Sequence, residues 1–135
     1  MPFTDAEVEY LASQPLGRLA TVQRNGQPQN SPMGFQWNPG TQTIDMVGFR
    51  MQKTQKWKNV AHNPKIAFTV DDLKSVDPWV MRMIEVRGTV ELLMNPTDLV
   101  RPGGDGAVIR LHPVKIISMG IDESVPFSRL VAPAA

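Results

Sequence analysis

Few residues in this chain have the chemistry for catalysis, and that shortage narrows the possibilities. There is no cysteine, which excludes disulfides, thiolate metal sites and cysteine nucleophiles. His62 and His112 lie far apart, with no second histidine at helix or strand spacing, so a histidine-based metal site has no support. Ser31 and Ser118 are outside any G-x-S-x-G elbow and read as strand serines making ordinary hydrogen bonds. Asp71, Asp72 and Asp77 lack the spacing of a calcium loop and read as loop and turn acids. Gly103-Gly104-Asp105-Gly106 is glycine-rich, but no helix follows to complete a phosphate cradle, so it reads as a flexible connection. Walker and G-x-G-x-x-G fingerprints are missing. Tyr10 is the lone tyrosine, and no catalytic acid is assigned.

The informative stretch is basic. Lys53 and Lys56 stand three apart, so in a helix they share a face, with Thr54 and Asn59 within about a turn and Lys58 pointing elsewhere. Ammonium, hydroxyl and amide donors converging on one spot suit a phosphate or other polyanion. The same residues would also serve as a solvated lysine face, and spacing alone leaves both open. Trp57 and Val60 read as the anchors of this helix.

The elements that must position these groups follow from pattern. Thr4 and Glu7 form a capping-box pair, predicting a helix over 4–13 that ends at Pro15 and Gly17. Strands are expected over 16–22 and 28–37, joined by a turn on Asn25-Gly26, and over 43–49. Residues 51–62 lack Gly and Pro and predict a helix closed by Asn63-Pro64. Next come a strand over 65–70, an acidic loop over 71–78, and a strand over 81–93 with Ile84, Val86, Val90 and Leu92 on one face. Residues 95–106 read as a mobile loop, and strands 108–111 and 114–121 are separated by His112-Pro113. The tail after Asp122 carries no periodicity. Many short strands and two short helices predict a closed, mostly β, antiparallel barrel of six to seven strands.

Composition sets the outer bounds. The 135 residues suit one domain spanning 1–135, and 14 basic against 13 acidic residues argue against a nucleic-acid partner. No apolar run spans a membrane and the first residues resemble no secretory signal, so a cytoplasmic address is expected. Met81, Met83 and Met94 suggest core packing or an adaptable apolar pocket.

Thr54-Gln55-Lys56-Trp57-Lys58-Asn59-Val60-Ala61-His62-Asn63-Pro64 resembles the phosphate-binding segment of the pyridoxamine 5′-phosphate oxidase-like split β-barrels. The likeness extends through Gly17–Thr21, Asn25–Gln29, Ile66–Asp72, Arg110–Pro113 and Ile116–Ile121. Val70 to Trp79 most resembles the actinobacterial, deazaflavin-dependent branch, whose members use coenzyme F420 while relatives bind FMN, FAD or haem. The resemblance implies a split barrel working as a homodimer, with the cofactor in a groove at the subunit interface. It places Thr54 and Lys56 on the phosphate, with Asn59 assisting and Lys53 toward an anionic tail. Gln29, Asn30, Ser31, Pro32 and Met33, with Met46, Val47 and Gly48, would line the ring. The implied activity is hydride transfer between F420 and a small organic acceptor, the alternatives being an FMN enzyme or a non-catalytic cofactor- or haem-binding protein. Gln55 stands where flavin-binding relatives carry arginine, a change that weakens FMN more than F420, and Met119 replaces a common tryptophan.

Overall fold

The structure is a computed structural model that describes residues 2–132; Met1 and residues 133–135, included in the expected 1–135 domain, lie outside that range. Helix α1 spans Asp5–Ser13. Strands follow as β1 (Leu16–Val22), β2 (Pro28–Gly34), β3 (Gln36–Asn38) and β4 (Thr43–Val47). A 3-10 turn (Met51–Lys53) and helix α2 (Gln55–His62) precede β5 (Lys65–Ser75), β6 (Val80–Met94), β7 (Ala107–Met119) and β8 (Ser128–Leu130). The strands form one antiparallel sheet in the order β2-β1-β5-β6-β7-β4-β3, with β8 added to β7. β2 touches β4, but no ladder joins them, so side chains close the barrel along that seam. The architecture is the expected one, with eight strands where six to seven were expected.

Alternation builds the core. Leu19 of β1, Ile66, Phe68 and Val70 of β5, and Ile84 and Val86 of β6 all point into the barrel and are buried. Val90 and Leu92 continue the β6 face and pack against this cluster. At the N-terminus the capping box is present: the Thr4 amide donates to Glu7 Oε1 (2.9 Å) and the Glu7 amide to Thr4 Oγ1 (3.2 Å).

Five local expectations need correction. Residues 28–37 are two strands, because β2 pairs with β1 and β3 with β4, and the chain crosses the seam at Phe35. The Phe35 ring packs edge-on against Phe68 there, 5.3 Å between centroids. Asp71 and Asp72 belong to β5, where Arg82, directly opposite on β6, pairs with Asp72 and makes an acid tolerable in a strand. His112-Pro113 does not divide β7. Pro113 sits past the end of the β4 ladder at Leu111 and before the β8 ladder at Lys115, where one edge of β7 is free. The register shift opposite Arg87 and Gly88 leaves Val114 as an extra bulged residue, so Leu111 and Ile116 both face inward. The tail folds back as β8, and Arg129 pairs with the fully buried Glu7 of α1. Finally, Met81 and Met94 are exposed, so neither packs the core.

The bulge demands close backbone approach at Gly88, where a Cβ would sit 2.1 Å from the His112 carbonyl oxygen. Gly88→Ala is therefore expected to destabilise the protein by about 2 kcal/mol, read as a lowered urea midpoint. An unchanged midpoint would mean that the bulge yields freely.

Candidate functional site

The basic segment is not one continuous helix. Met51–Lys53 is a 3-10 turn, Thr54 is extended (φ −81°, ψ 154°), and α2 starts at Gln55. Thr54 favours the cap over a helix interior: its hydroxyl accepts from the Trp57 amide (3.3 Å) and donates to the Met51 carbonyl (2.6 Å). Lys53 and Lys56 thus lie on different elements, contrary to the shared helical face expected from spacing. Thr54's only proton is committed to Met51, so it can donate to an anion only by releasing that carbonyl. Gln55 and Lys56 open the helix, where amides have no intrahelical acceptor.

Asn59 joins this helix to the β1–β2 hairpin. Its amide nitrogen donates to Thr21 Oγ1 and to Gln29 Oε1, both at 2.9 Å, and its oxygen accepts from Gln55 Nε2 at 2.7 Å. With 3% exposure and every polar direction but one used, Asn59 is a structural tie between α2 and β2. Gln55 is thereby drawn onto Asn59.

The register splits the ring-lining set in two. Gln29, Ser31 and Met33 lie opposite Thr21, Leu19 and Gly17, which face the barrel interior, whereas Asn30 and Pro32 share the outer face with Ala20 and Arg18. Met33 and Met46 are buried in the core. Val47 and Gly48 are half-buried at the end of β4, just before the 3-10 turn. Ser31 Oγ is shielded from solvent yet has no hydrogen-bond partner.

Charge concentrates around this cluster. No acidic residue occurs between Asp45 and Asp71, a span holding Arg50, Lys53, Lys56, Lys58 and Lys65. Lys56 is half-buried, and none of Lys53, Lys56 and Lys58 has a carboxylate partner among the described residues. A groove of about 320 Å³ separates the hairpin turn (Arg24, Asn25) from Gln55, Lys58 and Asn59. A larger groove, about 430 Å³, lies away from α2's N-terminal end, over β1, β5 and β6, lined by Ala20, Ala67 and Val114 and edged by Lys65 and Arg87. No cluster of three or more His, Asp or Glu is placed to hold a metal among the described residues, and no helix there is long and apolar enough to cross a membrane.

Tyr10 lies in a separate network. Its hydroxyl donates to Asp72 Oδ1 (2.9 Å), and Arg82 binds both Asp72 oxygens (3.0 and 2.6 Å) while its guanidinium lies 5.0 Å from the Tyr10 ring centroid. Burial, reinforced by the Asp72 carboxylate, pushes the phenol well above its ordinary range, which makes Tyr10 a poor proton donor. The Arg82 guanidinium, aided by Tyr10 and Gln14, holds the Asp72 carboxyl below the usual range.

A seamed antiparallel barrel with an uncompensated cationic helix end beside β2 is a split barrel. Residues 3–117 match the pyridoxamine 5′-phosphate oxidase family, and the chain belongs to that family. It is 40% identical to a 5a,11a-dehydrotetracycline/5a,11a-dehydrooxytetracycline reductase of Streptomyces rimosus, covering 90% of this chain and 86% of the relative. It is also similar to a solved F420 reductase, at 29% identity and TM-score 0.58, over 78% of this chain and 91% of that one. An FAD-binding protein from Mycobacterium smegmatis shares the fold at TM-score 0.66 and 20% identity, over 87% of this chain and 96% of that one.

Asn59→Ala is expected to cost about 2 kcal/mol of stability in urea unfolding, because it leaves Thr21 and Gln29 unpaired beneath the helix. The Asp72 pair predicts an acid transition. With its folded value depressed, Asp72 stabilises the fold fully above the unfolded carboxyl value of about 3.9 and loses this as pH falls through the folded value. In acid titrations followed by circular dichroism, Asp72→Asn should remove that component; an unchanged acid limb would discount the network.

Proposed function

We propose that this protein is an oxidoreductase that holds a phosphate-bearing flavin-type cofactor, coenzyme F420, beside β2 and the N-terminal end of α2. Hydride passes between that cofactor and a small organic acceptor. The observation that carries this reading is the unneutralised cluster at α2: a half-buried Lys56 and free helix-opening amides, with no carboxylate in the surrounding sequence. The named reductase and F420 reductase relatives support it.

The residues fit such a group. Lys56 and the Gln55 and Lys56 amides would hold the phosphate, and Lys53, exposed on the 3-10 turn, would meet a further anionic tail. Thr54 would shape this end as the helix cap, and Asn59 would fix its distance from β2. Ser31 Oγ, the orphaned polar atom of β2, would hydrogen-bond the ring, with Gln29 beside it and Val47 and Gly48 against it. Met33 would back the ring from within the core, while Asn30 and Pro32 would act from the outer face, at the subunit seam. When bound, the deazaflavin supplies the hydride, so the chain has only to bind it, orient it and exclude water.

The same reading makes the protein a homodimer. Exposed Leu73, Met81 and Met119 share the outer sheet face with Met83, an apolar surface suited to a second copy.

Titration with oxidised F420 should give low-micromolar binding, weakened about tenfold or more in Lys56→Ala by loss of a charge-assisted contact. Unchanged affinity in that variant would overturn the site. A yellow protein as purified would favour FMN, and binding with no acceptor reduced would leave a carrier. Sizing should give twice the 15.0 kDa chain mass, and the double change Met81→Lys, Met119→Lys should shift it toward monomer. A wild-type monomer would refute the dimer.

A further inference from the structure

The Gly103–Gly106 segment, read from sequence as a flexible connection, is fastened at both ends. Asp98 binds Arg110 (2.7 and 3.1 Å), and Gln36 exchanges two hydrogen bonds with the Arg101 backbone, both 2.9 Å. At its other end the Asn95 amide donates to the Gly106 carbonyl at 2.7 Å. Gly104, at φ +68°, lies so close to Gly48 that a Cβ would come within 2.5 Å of the Gly48 carbonyl oxygen. That approach lets Asp105 reach the chain leading into α2. Its amide donates to the Gly48 carbonyl (3.1 Å), and its Oδ2 accepts from the Arg50 amide (2.8 Å).

Arg50 needs such a partner. It adopts φ +57°, ψ 29°, a left-handed conformation that residues other than glycine and asparagine seldom take. Its carbonyl then accepts from the Lys53 amide (2.9 Å), and Met51's carbonyl from the Thr54 amide (3.1 Å). The backbone angle at Arg50 therefore sets the 3-10 turn, the turn sets the Thr54 cap, and the cap sets where the Lys56 end of α2 points.

We propose that Asp105 is a positioning residue: from the glycine-rich loop it holds Arg50 left-handed and so orients the Lys53–Lys56 segment for its anion. The proposal rests on the functional reading above for what that anion is, and on the backbone geometry alone for the clamp.

The two are tested separately. In cofactor-free protein, Asp105→Ala should speed amide hydrogen exchange at Arg50 and through Lys53–Trp57 by about tenfold, as expected for loss of a hydrogen bond to a charged acceptor. Asp105→Asn, which keeps an acceptor oxygen, should stay near wild type. In F420 titrations Asp105→Ala should weaken binding about fivefold, with Asp105→Asn again close to wild type. An Arg50→Gly background should shrink the Asp105→Ala effect, because glycine takes the left-handed angle unaided. Unchanged exchange in Asp105→Ala, or faster exchange with unchanged F420 affinity, overturns the positioning role. Wild-type protein that binds neither F420 nor FMN sinks the functional reading, and the exchange data still decide the clamp.

Discussion

Arg110 is a permanent cation buried between the outer face of the sheet and the 95–106 loop, 5% exposed, and it can remain there because two carboxylates meet it. Asp45, fully buried and directly across the ladder on β4, takes one side of the guanidinium, and Asp98 from the 95–106 loop takes the other. Asn38 and Thr43 donate further hydrogen bonds to Asp45. Removing one member of such a group typically costs about 3–5 kcal/mol, because the remaining charge has no water to turn to. The pairing joins β7 to β4 and also roots the loop whose far end reaches residues 48–50. A buried charge pair on the outer face of the sheet is thereby connected, through the loop it anchors, to the entrance of α2.

Around that entrance the field is one-sided. Between Tyr10 and Val70 the only acid is Asp45, and its charge is consumed by Arg110. Arg18, Arg24, Arg50, Lys53, Lys56, Lys58 and Lys65 all fall in the same span; among the described residues only the Arg18 side chain pairs with a carboxylate, Asp71 at 3.5 Å, while Asp105 meets Arg50 through its backbone amide. The near-neutral net charge of +1 conceals this separation, since all the other acids lie before Tyr10 or from Asp71 onward. Local concentration of one sign raises the positive potential at that end of the barrel.

Strong local signals in the sequence marked the elements they govern. The Thr4–Glu7 box, the Asn25-Gly26 turn and the inward alternation of β5 and β6 are short-range patterns, and the structure follows them. What escaped the sequence depended on distant partners. Asp71 and Asp72 resemble a loop until Arg82 stands opposite, and Pro113 resembles a break until one edge of β7 is seen to be free there. The three residues of β8 have too little length for periodicity and are held by the β7 edge and the Glu7–Arg129 pair. At the site, the residue types were legible but their directions were not. Thr54 as a cap was available in the sequence, because a threonine followed by an uninterrupted helix-forming run is itself a start signal. Asn59's role was not, because its partners lie 30 and 38 residues away.

The seam between β2 and β4 has one more implication. Along the sheet path, parting two neighbouring strands would break a row of backbone hydrogen bonds, whereas β2 and β4 share no ladder and are joined by packing and by the chain that crosses at Phe35. The seam's width is therefore sensitive to the bulk of the side chains packed there, within the limit set by the crossing at Phe35. Substitution along that line would change the barrel's girth at one place while the ladders elsewhere keep their register.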